Sequence, residues 1–82
     1  MNISGHAIRR MEERGFSLEM LNKFLAGEVF DKDSEKEKDV VLLVGEINGK
    51  FWTLVVNHST NNLITVRRSH KKEIIDYVSG RH

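Results

Sequence analysis

The stretch Val40-Val41-Leu42-Leu43-Val44-Gly45-Glu46-Ile47-Asn48-Gly49-Lys50-Phe51-Trp52-Thr53-Leu54-Val55-Val56-Asn57 decides the fold. Val40 to Ile47 is a nearly continuous run of apolar and β-branched residues, the composition of a strand with little open face. Asn48-Gly49 follows it. Both residues tolerate the positive φ that a type I′ turn requires, and such a pair between two apolar runs is a strong short-range signal for a hairpin. Phe51 to Asn57 then reads as the return strand. Its alternation sorts Phe51, Thr53 and Val55 from Trp52, Leu54 and Val56, and leaves open which set faces the core.

Outward from this hairpin the period changes on both sides. Towards the N-terminus, Ser4 is placed to cap a helix running to about Glu13, with Ile3, Ala7, Ile8 and Met11 on a broad apolar side. Gly15 breaks it, and Ser17 caps a second helix in which Leu18, Leu21 and Leu25 fall at i, i+3 and i+7 beside Met20 and Phe24. Gly27 stands where a glycine would end that helix. Val29-Phe30 reads as a short edge strand, and Asp31 to Lys38 as a charged loop. Towards the C-terminus, His58 to Asn62 is a polar turn and Leu63 to Arg68 a further strand. Ser69 is placed to cap a short last helix with Ile74, Tyr77 and Val78 on its apolar edge. The expectation is an α+β fold in which two N-terminal helices pack on one face of a twisted antiparallel meander of about four strands, with a short C-terminal helix. If Ile64 and Val66 face the helices, Thr65 and Arg67 line the opposite surface.

The chain has 82 residues, enough for one domain over positions 1–82. With 39% hydrophobic and 30% charged residues it reads as globular. It has no cysteine, so a disulfide frame and a thiolate metal site are both excluded, which fits a cytoplasmic site of action. The longest apolar run, Val40 to Val44, is far short of a membrane span, and Arg9 and Arg10 interrupt any signal-peptide pattern. The net charge is only +1, but it is unevenly spread. Asp31, Asp33, Glu35, Glu37 and Asp39 crowd one segment among three lysines. Arg67, Arg68, His70, Lys71, Lys72, Arg81 and His82 crowd the end, and Arg9, Arg10 and Arg14 the first helix. Two basic segments on a near-neutral chain point to an anion-binding face; the same pattern is also what a solvated charged surface would give.

His6, Arg10 and Arg14 are spaced i, i+4, i+8 and span an arc of roughly 80° bordering the apolar side of the first helix. Two arginines stacked at i, i+4 repel slightly, a strain that Glu13 relieves in part through Arg9 or Arg10 and an anionic ligand relieves further. Imidazole is the side chain suited to proton transfer near neutral pH, and of the histidines at 6, 58, 70 and 82, His6 has arginine neighbours fit to hold a phosphate. His70 follows the Arg67-Arg68 pair. His58 reads as a turn residue and His82 as terminal. A metal site scores poorly: there is no HExxH motif, no His-x-His pair, and the acids at 31–39 alternate with lysines, so no metal or other cofactor is expected.

The run His6-Ala7-x-x-Arg10-Met11-x-x-Arg14-Gly15, then Phe16-Ser17-x-Glu19-x-Leu21, Gly27-Glu28 and the closing Leu63-Ile64-Thr65-Val66, resembles a widespread family of small bacterial domains of undefined function. That family is similar to the RelE/ParE-like toxins, BrnT among them, and to the barnase–EndoU–colicin–RelE ribonuclease toxins found in contact-dependent inhibition. Phe16 departs from the pattern, which has an aliphatic residue there. The resemblance implies a metal-independent endoribonuclease that cuts tRNA or mRNA through a 2′,3′-cyclic phosphate, and a cognate antitoxin or immunity protein as its inhibitor. It implies His6 as general acid or base, Arg10 and Arg14 as phosphate and transition-state stabilisers, and Thr65 as an orienting group. Arg67, Arg68, His70 and Lys71 are the substrate-binding candidates of the local basic cluster. The alternative reading is a noncatalytic module of the same fold that binds nucleic acid or protein.

Overall fold

In the computed structural model, which describes residues 1–80, the chain runs β1 (Asn2–Ile3), α1 (Gly5–Arg14), α2 (Leu18–Ala26), β2 (Val29–Asp33), β3 (Val40–Ile47), β4 (Lys50–Asn57), β5 (Asn62–Arg68) and α3 (Lys71–Gly80). The hairpin forms as expected, with Asn48 at φ 51° and Gly49 at φ 81° between β3 and β4. The sheet has the order β1-β5-β4-β3-β2. Its four longer strands are an antiparallel meander, and the two-residue β1 adds a parallel edge on β5. Two of the strands differ from expectation. β1 was not foreseen, because two residues carry no period. β2 continues through Asp33, so Asp31 to Asp33 are strand rather than loop, held by the register from Asp31↔Leu43 to Asp33↔Val41.

A bulge sets the faces of β5. Thr65 pairs with Val55 but Leu63 pairs with Val56, leaving Ile64 as the extra residue. Leu63 and Val66 therefore point to the same side, although their spacing in a regular strand would separate them. With Ile47, Trp52, Leu54 and Val56 they meet Ala7, Met11, Phe16, Leu21 and Phe24 in one core. Trp52, Leu54 and Val56 thus form the helix-facing set, and Thr65 lies on the other face, as does Arg67, paired with Thr53. Full burial of each Leu or Phe side chain contributes about 1.5–3 kcal/mol, which fastens α1 and α2 to this face.

Local signals place the first two helices. Ser4 accepts the N–H of Ala7 and Ser17 that of Met20. Gly15, at φ 69°, ends α1 while the N–H of Phe16 donates to Met11 O at 2.8 Å, a left-handed cap closed by the apolar contact of Met11 with Phe16. Gly27 ends α2 without left-handed backbone, at φ −92°. In α2 the buried pair is Leu21 and Phe24, whereas Leu18 and Leu25 are exposed, so the expected leucine stripe is not the packing face.

α3 is the larger difference. It packs on the face of the sheet away from α1 and α2: Tyr77 meets Phe51 edge-on at 5.6 Å, Glu73 bonds Thr53, and Asp76 pairs with Lys32 at 2.6 Å. Its buried residues are Glu73 and Tyr77, and Val78 is exposed. The molecule is therefore a three-layer α/β/α arrangement within the expected α+β class.

Candidate functional site

α1 presents the first group of candidates. Its buried side is Ala7 and Met11; His6 and Arg14 are exposed and Arg10 is partly covered on the flank between. Arg10 Nη1 donates to Glu13 Oε1 at 2.9 Å, so the acid that relieves the stacked arginines does so through Arg10. This pair is exposed and contributes little to stability. The course of α1 follows from its ends. At its start the N–H of Ser4 donates to Leu63 O and Ser4 Oγ to Ile64 O, near the beginning of β5. Beyond its end Phe16 packs against Trp52 at 4.9 Å, and Trp52 pairs with Arg68 at the close of β5. α1 therefore runs along β5, and its Arg14 end lies at the Arg68 end of the sheet.

Arg68 belongs to this face. Its guanidinium lies 5.4 Å over the Trp52 ring while Nε donates to Phe51 O at 3.2 Å, which leaves the two terminal amino groups for a ligand. Thus the structure brings His6, Arg10, Arg14 and Arg68 to one layer of the molecule.

The other candidates lie elsewhere. Thr65 is on the opposite face of the sheet, separated from the α1 flank by the strand itself. Arg67 is not a free substrate-binding cation: its Nη1 and Nη2 donate to Glu73 Oε1 and Oε2 at 2.8 and 2.7 Å. Glu73 is only 5% exposed, and it also accepts Thr53 Oγ1 at 3.0 Å and the His70 N–H at 2.8 Å. Because Thr53 has one hydroxyl proton and gives it to Glu73, Ser69 donates to Thr53 Oγ1, at 2.8 Å. Ser69 was expected to cap α3; instead Glu73 reaches back to the first turn, the carboxylate half of a capping box. Burial alone would push the Glu73 carboxyl up, but the bonds from Arg67, the His70 N–H and Thr53 outweigh it and hold the group down at about 2. The His70 ring is largely exposed, its Nδ1 4.0 Å from Glu73 Oε1, and Lys71 begins α3, exposed.

Glu73 was missed by the sequence reading. The signal was present as a glutamate three residues after His70 and six after Arg67, but a buried fork of that kind becomes visible only once α3 is known to cover Thr53. A cleft of about 430 Å³ beside it is bordered by Lys32, Lys36, Arg67, His70 and Lys72, but Lys32 and Arg67 are already neutralised by Asp76 and Glu73. Among the described residues no group of three or more His, Asp or Glu side chains is arranged to hold a metal, and no helix is long and apolar enough to cross a membrane. Arg81 and His82 lie outside the described residues.

The family described as a domain of unknown function, DUF4258, matches residues 3–68. The chain belongs to the DUF4258 family. No curated protein and no solved structure matches it. The DUF4258 match covers α1, α2 and nearly the whole sheet, so it takes in His6, Arg10, Arg14, Thr65, Arg67 and Arg68. It stops before α3, which supplies Glu73.

Proposed function

We propose that this DUF4258 chain is a metal-independent endoribonuclease toxin acting in the cytoplasm, with its site on the flank of α1, and that a cognate antitoxin or immunity protein neutralises it. The observation that carries the reading is a cationic row on the α1 side of the sheet, with His6, Arg10 and Arg14 along one flank of the helix and Arg68 at its Arg14 end, which offers one imidazole and three guanidinium groups to an RNA strand. RNA cleavage of this type needs two proton transfers and stabilisation of the charge that develops on the phosphate. The 2′-hydroxyl loses a proton and its oxygen attacks the adjacent phosphorus. The bond to the 5′ oxygen breaks and that oxygen takes up a proton, leaving a 2′,3′-cyclic phosphate and a 5′-hydroxyl. His6 carries one of the two proton transfers and solvent water the other. Arg10, Arg14 and Arg68 bind the phosphate and offset the charge that develops on it. Thr65 has no part in this arrangement, and Arg67 acts by holding α3 in place. The His6-to-Gly15 motif and the closing strand resemble a family that is similar to RelE/ParE-like toxins, and this supports tRNA or mRNA as the substrate.

The test is expression in bacteria without a partner gene, together with digestion of tRNA and mRNA by the purified chain in the presence of EDTA and analysis of the new ends. Growth arrest and EDTA-resistant cleavage leaving cyclic phosphate ends are expected. His6→Ala should lower cleavage by roughly 10²–10⁴-fold, and Arg10→Ala or Arg14→Ala by roughly 10²–10³-fold. Normal growth with no cleavage overturns the proposal, and RNA binding without cleavage replaces it with the noncatalytic module.

A further inference from the structure

The other flank of α1 has an unexplained character. Ile8 and Leu18 are 47% and 62% exposed, and together with Ile3, Met11 and Phe16 they border an open apolar groove of about 510 Å³. Large apolar side chains gathered at one groove mark a docking surface more often than chance exposure does. On a wheel of about 100° per residue this flank lies across the helix from His6, Arg10 and Arg14, so an occupant of the groove leaves the proposed RNA-facing stripe open.

The charges beside the groove indicate what occupies it. Arg9 and Glu12, one helical turn apart, are both exposed, and among the described residues neither makes an ion pair. One surface thus carries both members of an ion pair, left unused within the chain. That is the property of an isologous interface, in which residue i of one copy meets residue j of the other and j meets i. A two-fold axis passing between Arg9 and Glu12 sets two α1 helices antiparallel. Each Arg9 then faces Glu12 of the second copy, each Ile8 reaches the second copy's groove beside Met11, Gly15 and Phe16, and the helix dipoles oppose favourably.

We propose that this groove is the interface of a two-fold homodimer of the chain, built on Ile8, Leu18 and reciprocal Arg9–Glu12 pairs. The proposal does not rest on the ribonuclease reading, and its test contains no RNA. Sedimentation velocity of the purified chain across the micromolar range should show a reversible monomer–dimer equilibrium. Arg9→Glu and Glu12→Arg each turn two attractive pairs into two repulsive ones, and each should weaken self-association by at least about tenfold. An equimolar mixture of the two variants restores two attractive pairs, one Arg9–Glu12 pair as in the parent and one of swapped sign, so a heterodimer should form where neither variant dimerises alone. Ile8→Asp should abolish association with circular dichroism unchanged. A monomer at every concentration overturns the proposal and leaves the groove to a different partner. A dimer that survives Ile8→Asp, or single reversals that the mixture does not rescue, overturns it as well.

Discussion

Glu73 carries the most concentrated chemistry of any single residue, and its role is structural. Its folded carboxyl sits at about 2 instead of 4.5 because three donors favour the ionised form. A lowered folded value adds stability above the unfolded pKa and loses it as the pH falls, so the contribution is full above about 4.5 and gone near 2. A shift of this size on a nearly buried group corresponds to roughly 3 kcal/mol. Urea titrations of Glu73→Gln should therefore show a loss on the order of 3 kcal/mol at neutral pH and a flatter stability profile on the acid side. A variant as pH-sensitive as the parent would remove Glu73 from this role. Arg67→Lys should also destabilise, because one ammonium cannot reproduce two parallel bonds to Oε1 and Oε2. This residue explains why the candidate site was only half legible. The α1 stripe could be read because helical spacing alone places His6, Arg10 and Arg14 on one flank. Arg67 and Arg68 are adjacent in sequence and look alike there, yet strand alternation sends one to Glu73 and the other over Trp52.

Among the elements, those specified by local chemistry were legible and those specified by tertiary contact were not. Asn48-Gly49, Ser4, Ser17 and Gly15 each act within a few residues, and each acts as its type dictates. β1 exists only because Ile3 pairs with Leu63, sixty residues away, and the side covered by α3 depends on Thr53, Phe51 and Lys32 being there to receive it. The bulge at Ile64 is of the same kind: no feature of Leu63 to Val66 announces that both ends of that run face the helices. One close approach tests how tightly an element is set. A Cβ on Gly45 of β3 would lie 2.7 Å from Phe24 Cε2, and the Phe24 ring is buried under α2. Gly45→Ala should then cost about 1–3 kcal/mol by overpacking. Phe24→Leu in the same chain should recover part of it, so thermal melts of the two single variants and the double variant should show costs that do not add. Additive costs would mean that α2 shifts freely over β3 and that the contact is slack.

At the scale of the whole molecule, some cations are locked in part-buried ion pairs and others stand free. Lys32 and Arg67 are tied to Asp76 and Glu73 between the sheet and α3, whereas Arg14 and Arg68 have no carboxylate partner among the described residues and stand on the α1 side. Net charge, at +1, says nothing of this division, because a neutralised arginine and a free one count equally. Salt dependence does distinguish them. Each cation that displaces a counterion from single-stranded RNA adds about 0.7 to the slope of log affinity against log salt concentration. Removing a free cation should lower that slope by its share, and removing a locked one should leave the slope unchanged even where stability falls. The comparison of Arg68→Ala with Arg67→Ala is therefore decisive, since the two positions are adjacent in sequence. Filter binding or fluorescence anisotropy with a single-stranded RNA across a salt series should give a slope lower by about 0.7 for Arg68→Ala and for Arg14→Ala, and the parent slope for Arg67→Ala below its lowered melting temperature. If Arg67→Ala reduces the slope and Arg68→Ala does not, the RNA lies against α3, and the site moves to the opposite face of the sheet.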